Sequence, residues 1–190
     1  MRPPPTPEAT MAKMRHLREL AMSEAPPMLA LCLPDNTREV LDLTELADEA
    51  RDALGVIRAA LDLDFLPPEV AAPRPVWVVF MGEGWSTTGE GLEPPDLERG
   101  ELQARHEIGM SGVGEALMAH MRHRDGSGWD CLQPFEPVPA LDTIKWGEMS
   151  VSGRDGVLTM GGAIPDLLAD IVGAERTPWP SMPADAEGAT

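Results

Sequence analysis

Apolar positions recur with a helical period in three stretches of the chain. Met11, Met14, Leu17 and Ala21 form the first stripe, behind Thr6 as a cap, Pro7 at the first helical position and Glu8 against the positive helix end. The stripe is narrow, which predicts a helix lying on the surface and ending before Pro26-Pro27. Leu46, Ala50, Leu54, Ile57 and Leu61 share one face of a second helix. Thr44 caps it, Leu43 can staple it, and Glu45, Asp48, Glu49 and Asp52 load its first turns before Pro67-Pro68 closes the segment. Ile164, Leu167, Leu168, Ile171 and Val172 mark the third helix, with Pro165 in its first turn and Gly173 just past its end.

Between these stretches the pattern turns to strands. Val76 to Met81 is uniformly apolar, rich in β-formers and bounded by Pro75 and Gly82, which predicts a strand buried on both faces near the middle of a sheet. Met28 to Leu33 and Arg38 to Leu43 flank Pro34-Asp35-Asn36, a turn sequence, and predict two short strands as a hairpin. Residues 82–100, rich in Gly, Pro and acid, read as a long loop, a length often tied to function. A weak helical pattern from Glu101 to Ile108 breaks at Gly109-Met110-Ser111-Gly112. Residues 115–124 suit a helix by composition, but Asp125-Gly126-Ser127-Gly128 is a hairpin signal and demands a strand to pair with Trp129 to Phe135. Ile144 to Val151 reads as a further strand, with Gly153-Arg154-Asp155-Gly156 as its turn.

The expected fold is therefore α+β. A mixed or antiparallel sheet of five to six strands is packed by two main amphipathic helices, at 44–61 and 163–173, with an extra N-terminal helix. Residues 1–6 and the Pro-rich residues 176–190 are expected to be disordered around one domain at 7–175.

Charge narrows the function. The 190 residues carry 15 Lys+Arg against 32 Asp+Glu, a formal net charge of −17. The acid is spread evenly: residues 1–95 hold 8 basic and 16 acidic groups, and residues 96–190 hold 7 and 16. Nucleic acid and anionic membrane surfaces are thereby disfavoured as partners. The start of the chain lacks the basic and apolar regions of a secretory signal, and no apolar run nears the roughly 20 residues that span a bilayer. Only Cys32 and Cys131 are present, too few for a disulfide scaffold, although one bridge between them is open. The expected location is cytoplasmic.

Candidate chemistry is sparse. His120 and His123 would share a face on a helix and could hold a metal there; on a strand they point to opposite faces and the site vanishes. His106 and Glu107 lie upstream, but the reading assigns no metal. Gly82-Glu83-Gly84 follows a strand as a phosphate loop would, yet Thr87 stands where the dinucleotide fingerprint needs Gly, and Glu83, Glu90 and Glu93 would repel phosphate. No cofactor is expected. No Gly-x-Ser-x-Gly occurs around Ser86, Ser111, Ser150 or Ser152. Cys32 sits in an apolar run, and Cys131 has no cationic neighbour to activate it. Glu83, Trp85, Ser86, Thr87 and Thr88 form the candidate binding loop, where an aromatic ring and three hydroxyls end a central strand.

The segment Val79-Phe80-Met81-Gly82-Glu83-Gly84-Trp85-Ser86-Thr87-Thr88 resembles one in small acidic hypothetical proteins of actinobacteria and their phages. Gly100-Glu101-Leu102, Val113-Gly114-Glu115-Ala116-Leu117 and Lys145-Trp146 are similar too, so the likeness spans roughly residues 38–172. The excess of Arg over Lys, with much Ala, Gly and Pro, fits a GC-rich source of that kind. The resemblance implies an α+β domain and carries over no catalytic residue. The leading expectation is a soluble accessory or regulatory protein that binds an unknown protein partner and is not an enzyme. The alternatives are a small enzyme with a pocket at the 82–91 loop and an acidic phage-type inhibitor of a basic host protein.

Overall fold

The computed structural model describes residues 3–21, 25–44, 74–87, 113–153 and 163–175. The expected helix at 44–61, the weak helix at 101–108, residues 88–100 with Thr88, the turn residues 154–156 and the tail from 176 all lie outside them. The described chain is a seven-stranded sheet with one helix on each face, an α+β arrangement. Every strand pair is antiparallel. The sheet is larger than the five to six strands expected. The extra strand arises because the predicted 144–151 strand is two, β6 (Thr143–Trp146) and β7 (Ser150–Ser152). They divide at Gly147, whose amide donates to the Pro134 carbonyl at 2.8 Å.

The sheet order is β2-β1-β3-β4-β5-β6, with β7 also on β5. The hairpin of β1 (Met28–Cys32) and β2 (Arg38–Asp42) turns at Pro34-Asp35-Asn36 as the sequence predicts. Asn36 takes φ 74°, and Asp35 accepts the Thr37 amide at 2.8 Å, an Asx turn. That bond is the main cause holding the Asp35 carboxyl below its usual range. β3 (Trp77–Thr87) lies between β1 and β4, and residues 76–81 are all buried, the central position expected of an apolar run. Residues 113–123 are strand β4, and the Asp125-Gly126 turn joins them to β5 (Gly128–Val138). Gly126 takes φ 87° there.

β3 runs on to Thr87, so the predicted loop starts later than residue 82. The two glycines that signalled a loop are accommodating neighbours instead. A Cβ on Gly82 would come within 3.0 Å of the Phe80 ring, and one on Gly84 within 2.6 Å of the Met118 methyl. Glycine here lets large side chains lie flat on the strand.

The alternation of β-strand side chains sorts the core into two layers. Trp77, Val79 and Met81 join Leu117, Ala119, Met121, Trp129 and Cys131 under helix α1 (Pro7–Ala21). Val78 and Phe80 join Leu29, Leu31, Leu168 and Val172 under helix α2 (Ala163–Val172). α1 is packed more deeply than its narrow stripe implies. Met11 and Met14 are fully buried, each worth about 1.5–3 kcal/mol of removed apolar surface. Its predicted cap is present: Thr6 Oγ1 accepts the Ala9 amide at 3.2 Å. Ahead of it, the Pro5 carbonyl accepts the Trp129 indole N–H at 3.1 Å and the Pro3 carbonyl accepts from Arg38 at 3.1 Å. α2 ends at Gly173, whose φ of 76° is the left-handed closure glycine supplies. Among the described residues no helix is long and apolar enough to cross a membrane.

Candidate functional site

The predicted binding loop is in part a strand end. Glu83 sits on the α1 face of β3, where its Oε2 lies 3.0 Å from Arg18 Nε of α1 and accepts the Ala25 amide at 2.9 Å. The Arg18 pair is an ion contact by distance, not an aligned hydrogen bond, and the guanidinium lies 5.2 Å from the centre of the Phe135 ring. Both partners are about nine-tenths buried. Glu83 thus ties β3 to the helix above it and to the chain entering β1. Trp85, Ser86 and Thr87 continue β3 opposite Glu115, Gly114 and Val113.

A second charged cluster lies on the opposite face. Asp130 is fully buried, and its Oδ1 and Oδ2 accept from Arg122 Nη1 and Nη2 at 2.8 and 3.1 Å. This is a two-pronged guanidinium–carboxylate pair, the strong form of such contacts. His120 Nδ1 donates to the same Oδ1 at 2.8 Å, because the carboxylate can only accept. The hairpin register causes the meeting: His120 is directly opposite Asp130, and Arg122 is two pairs nearer the turn, on the same face. Ser152 stands opposite Asp130 on the far side, so His120, Asp130 and Ser152 form a row across three strands. Two strand spacings of about 4.8 Å separate the His120 and Ser152 backbones by roughly 10 Å, and the carboxylate, not the imidazole, is the middle member of the row. In a catalytic triad the imidazole stands between hydroxyl and carboxylate, so this row does not have the order of one.

His123 points to the other face of β4 from His120, as the strand alternative required, and its Nδ1 lies 2.7 Å from Asp125. The two histidines therefore cannot share a metal ion. Among the described residues no group of three or more His, Cys, Asp or Glu is placed to hold one. Cys32 and Cys131 are free and buried. They lie on β1 and β5, three strand spacings or about 14 Å apart, too far for a disulfide. Burial pushes the Cys131 thiol up to about 12, with the neighbouring Asp130 charge adding to the shift. It is no nucleophile at neutral pH.

Among the described residues a groove lies where α1 leaves the sheet uncovered. An open groove of about 190 Å³ runs between the first half of α1 and the β2-β1-β3 side of the sheet. Ala30, Val40, Trp77, Val79 and Met81 supply its apolar lining, and Lys13 and Arg38 its cations. The Arg38 guanidinium lies 5.2 Å from the centre of the Trp77 ring, a cation–π contact. The Trp77 indole N–H is buried without an acceptor among the described residues. Lys13 makes no hydrogen bond or ion pair among the described residues. Sequence reading missed both this groove and the Arg122–Asp130 pair. The pair was computable, since the Asp125-Gly126 turn fixes the register; the groove was not, because it depends on where α1 crosses.

No family model, curated protein or solved structure matches the chain.

Proposed function

We propose that this chain is a non-catalytic accessory or regulatory protein that binds another protein through the groove between α1 and β2-β1-β3. The ligand that fits is an extended segment carrying an apolar side chain beside a carboxylate. The observation that carries this is the groove's composition. An apolar floor is edged by Lys13, one of only two lysines in a chain of charge −17, and by Arg38. Concentrating scarce positive charge beside exposed apolar surface supports recognition of an acidic, apolar segment. Glu39 also lines the groove and sets a limit to how much negative charge the segment can carry.

The buried polar groups support the same reading. Asp130 is saturated by Arg122 and His120, and Glu83 is engaged with Arg18 and Ala25, so both carboxylates brace the fold.

Selection of binding peptides from a random displayed library tests the proposal. Selected sequences should share an acidic residue next to a large apolar one, bind more weakly as salt rises, and lose affinity on Lys13→Glu or Ala30→Arg. Peptides that bind both variants as well as the parent chain would place recognition elsewhere and refute the groove.

A further inference from the structure

We propose that the outer edge of β2, which no other described strand pairs, joins the β2 edge of a second copy of this chain about a two-fold axis at Val40. The inference does not rest on what fills the groove. It starts from the direction of backbone groups. Leu33 donates to the Thr37 carbonyl and Leu43 to the Pro27 carbonyl, each at 2.9 Å, on the register that pairs β1 with β2. In an antiparallel ladder these directions alternate. Residues 37, 39, 41 and 43 therefore face β1, and Arg38, Val40 and Asp42 turn their N–H and C=O groups to the outer edge. Among the described residues β2 is the terminal strand of the sheet.

Those three residues are complementary to themselves. In an antiparallel pair centred on Val40, each Val40 meets its counterpart, and Arg38 of each copy stands opposite Asp42 of the other. The outward-facing residues are the ones that form the hydrogen-bonded pairs in this register, so backbone and side chains agree. Val40 is 54% exposed, one of three large apolar residues that stand out from the described surface. Arg38 and Asp42 are exposed; Arg38 exchanges its stacking on Trp77 and its bond to the Pro3 carbonyl for the new carboxylate, and Asp42, whose Oδ1 accepts from the Thr44 amide and hydroxyl, meets it with Oδ2. The opposite edge of the sheet is built differently. β6 and β7 are short, interrupted at Gly147, and opposed by Pro137, devices that discourage pairing. β2 is continuous over its five residues and has no proline. A two-fold axis normal to the sheet leaves both grooves on the same side of the joined sheet.

A five-residue strand pair buries less than the roughly 1,200 Å² of stable complexes, so the dimer is reversible and concentration-dependent. Sedimentation equilibrium from about 10 µM to 1 mM, near physiological salt where the Debye length is about 8 Å, reads it directly. The parent chain should pass from monomer to dimer over this range. Arg38→Glu or Asp42→Arg sets like charges opposite each other twice and should weaken the dimer by about tenfold or more. The double exchange Arg38→Glu with Asp42→Arg should restore it. Val40→Lys, which touches neither charge, should give monomer. Circular dichroism melts confirm that each variant is folded. A parent chain that stays monomeric throughout overturns the proposal. So does a dimer indifferent to these changes, or a folded double variant that fails to recover.

Discussion

Asp130 is where a single residue matters most to this fold. Its carboxylate is the charged partner of the two-pronged Arg122 guanidinium, which is 2% exposed and otherwise donates to the Met121 and Trp129 carbonyls. Asp130→Ala leaves that charge buried and unpaired, at a cost of about 3–5 kcal/mol. Urea unfolding should show the midpoint falling with the slope unchanged. His120→Asn loses one hydrogen bond from a half-buried ring and should cost only about 0.5–1.5 kcal/mol. At the hairpin turn, hydrogen bonds from Ser127, side chain first and then amide, lower the Asp125 carboxyl from 3.8 to about 2. A folded-state value below the unfolded one means that the contribution is present above about pH 4. It is lost as pH falls through 2. Asp125→Asn should therefore reduce stability at pH 6 and make no difference well below pH 2, though modestly, because the group is largely solvent-screened. The thiols give a simpler check. Neither cysteine should react with a thiol reagent at pH 8 in the folded chain, and both should react in denaturant; rapid native labelling of Cys131 would contradict its placement in the core.

Elements with a local cause were readable from the chain alone. Thr6 and Pro7 start α1, Gly173 stops α2, and the Pro34-Asp35-Asn36 and Asp125-Gly126 turns close the two hairpins. The uniform apolarity of residues 76–81 placed β3 centrally because both its faces are covered by a helix layer. The misreadings have non-local causes. Gly82 and Gly84 look like loop residues until Phe80 and Met118 are seen lying over them. The 144–151 stretch looks like one strand until Gly147 binds back to Pro134. Composition allowed residues 115–124 to be helix, and only the turn that follows demanded a strand. These glycines differ in what surrounds them, which substitution can expose. A Cβ at Gly128 would stand 2.5 Å from the Met121 carbonyl oxygen, and backbone cannot yield. At Gly84 the obstacle is the end of the flexible Met118 side chain. Gly128→Ala should cost about 1–3 kcal/mol or more, and Gly84→Ala distinctly less, in paired thermal melts.

At the scale of the molecule, charge and surface were legible in different degrees. A net charge of −17 argued against polyanionic partners from the sequence alone. It could not show that Lys13 and Arg38 gather beside Val40 and Trp77, since those residues come from α1, β2 and β3 and meet only when the helix crosses the sheet. The candidate residues chosen from sequence clustered instead at the end of β3, where Glu83 braces the structure. A protein in which Asp130 and Glu83 are engaged inside the fold and whose apolar groove is open acts, on this account, by contact. The most direct measurement installs a photo-crosslinking amino acid at Ala9, which lines the groove, and separately at Asp170, exposed on α2 on the opposite face. Both variants are irradiated in cells that make the protein at its natural level. Capture of one defined protein from position 9 and not from position 170, abolished by Lys13→Glu, is the expected result. Capture that is equal from both faces, or absent from position 9, would contradict a binding groove at α1.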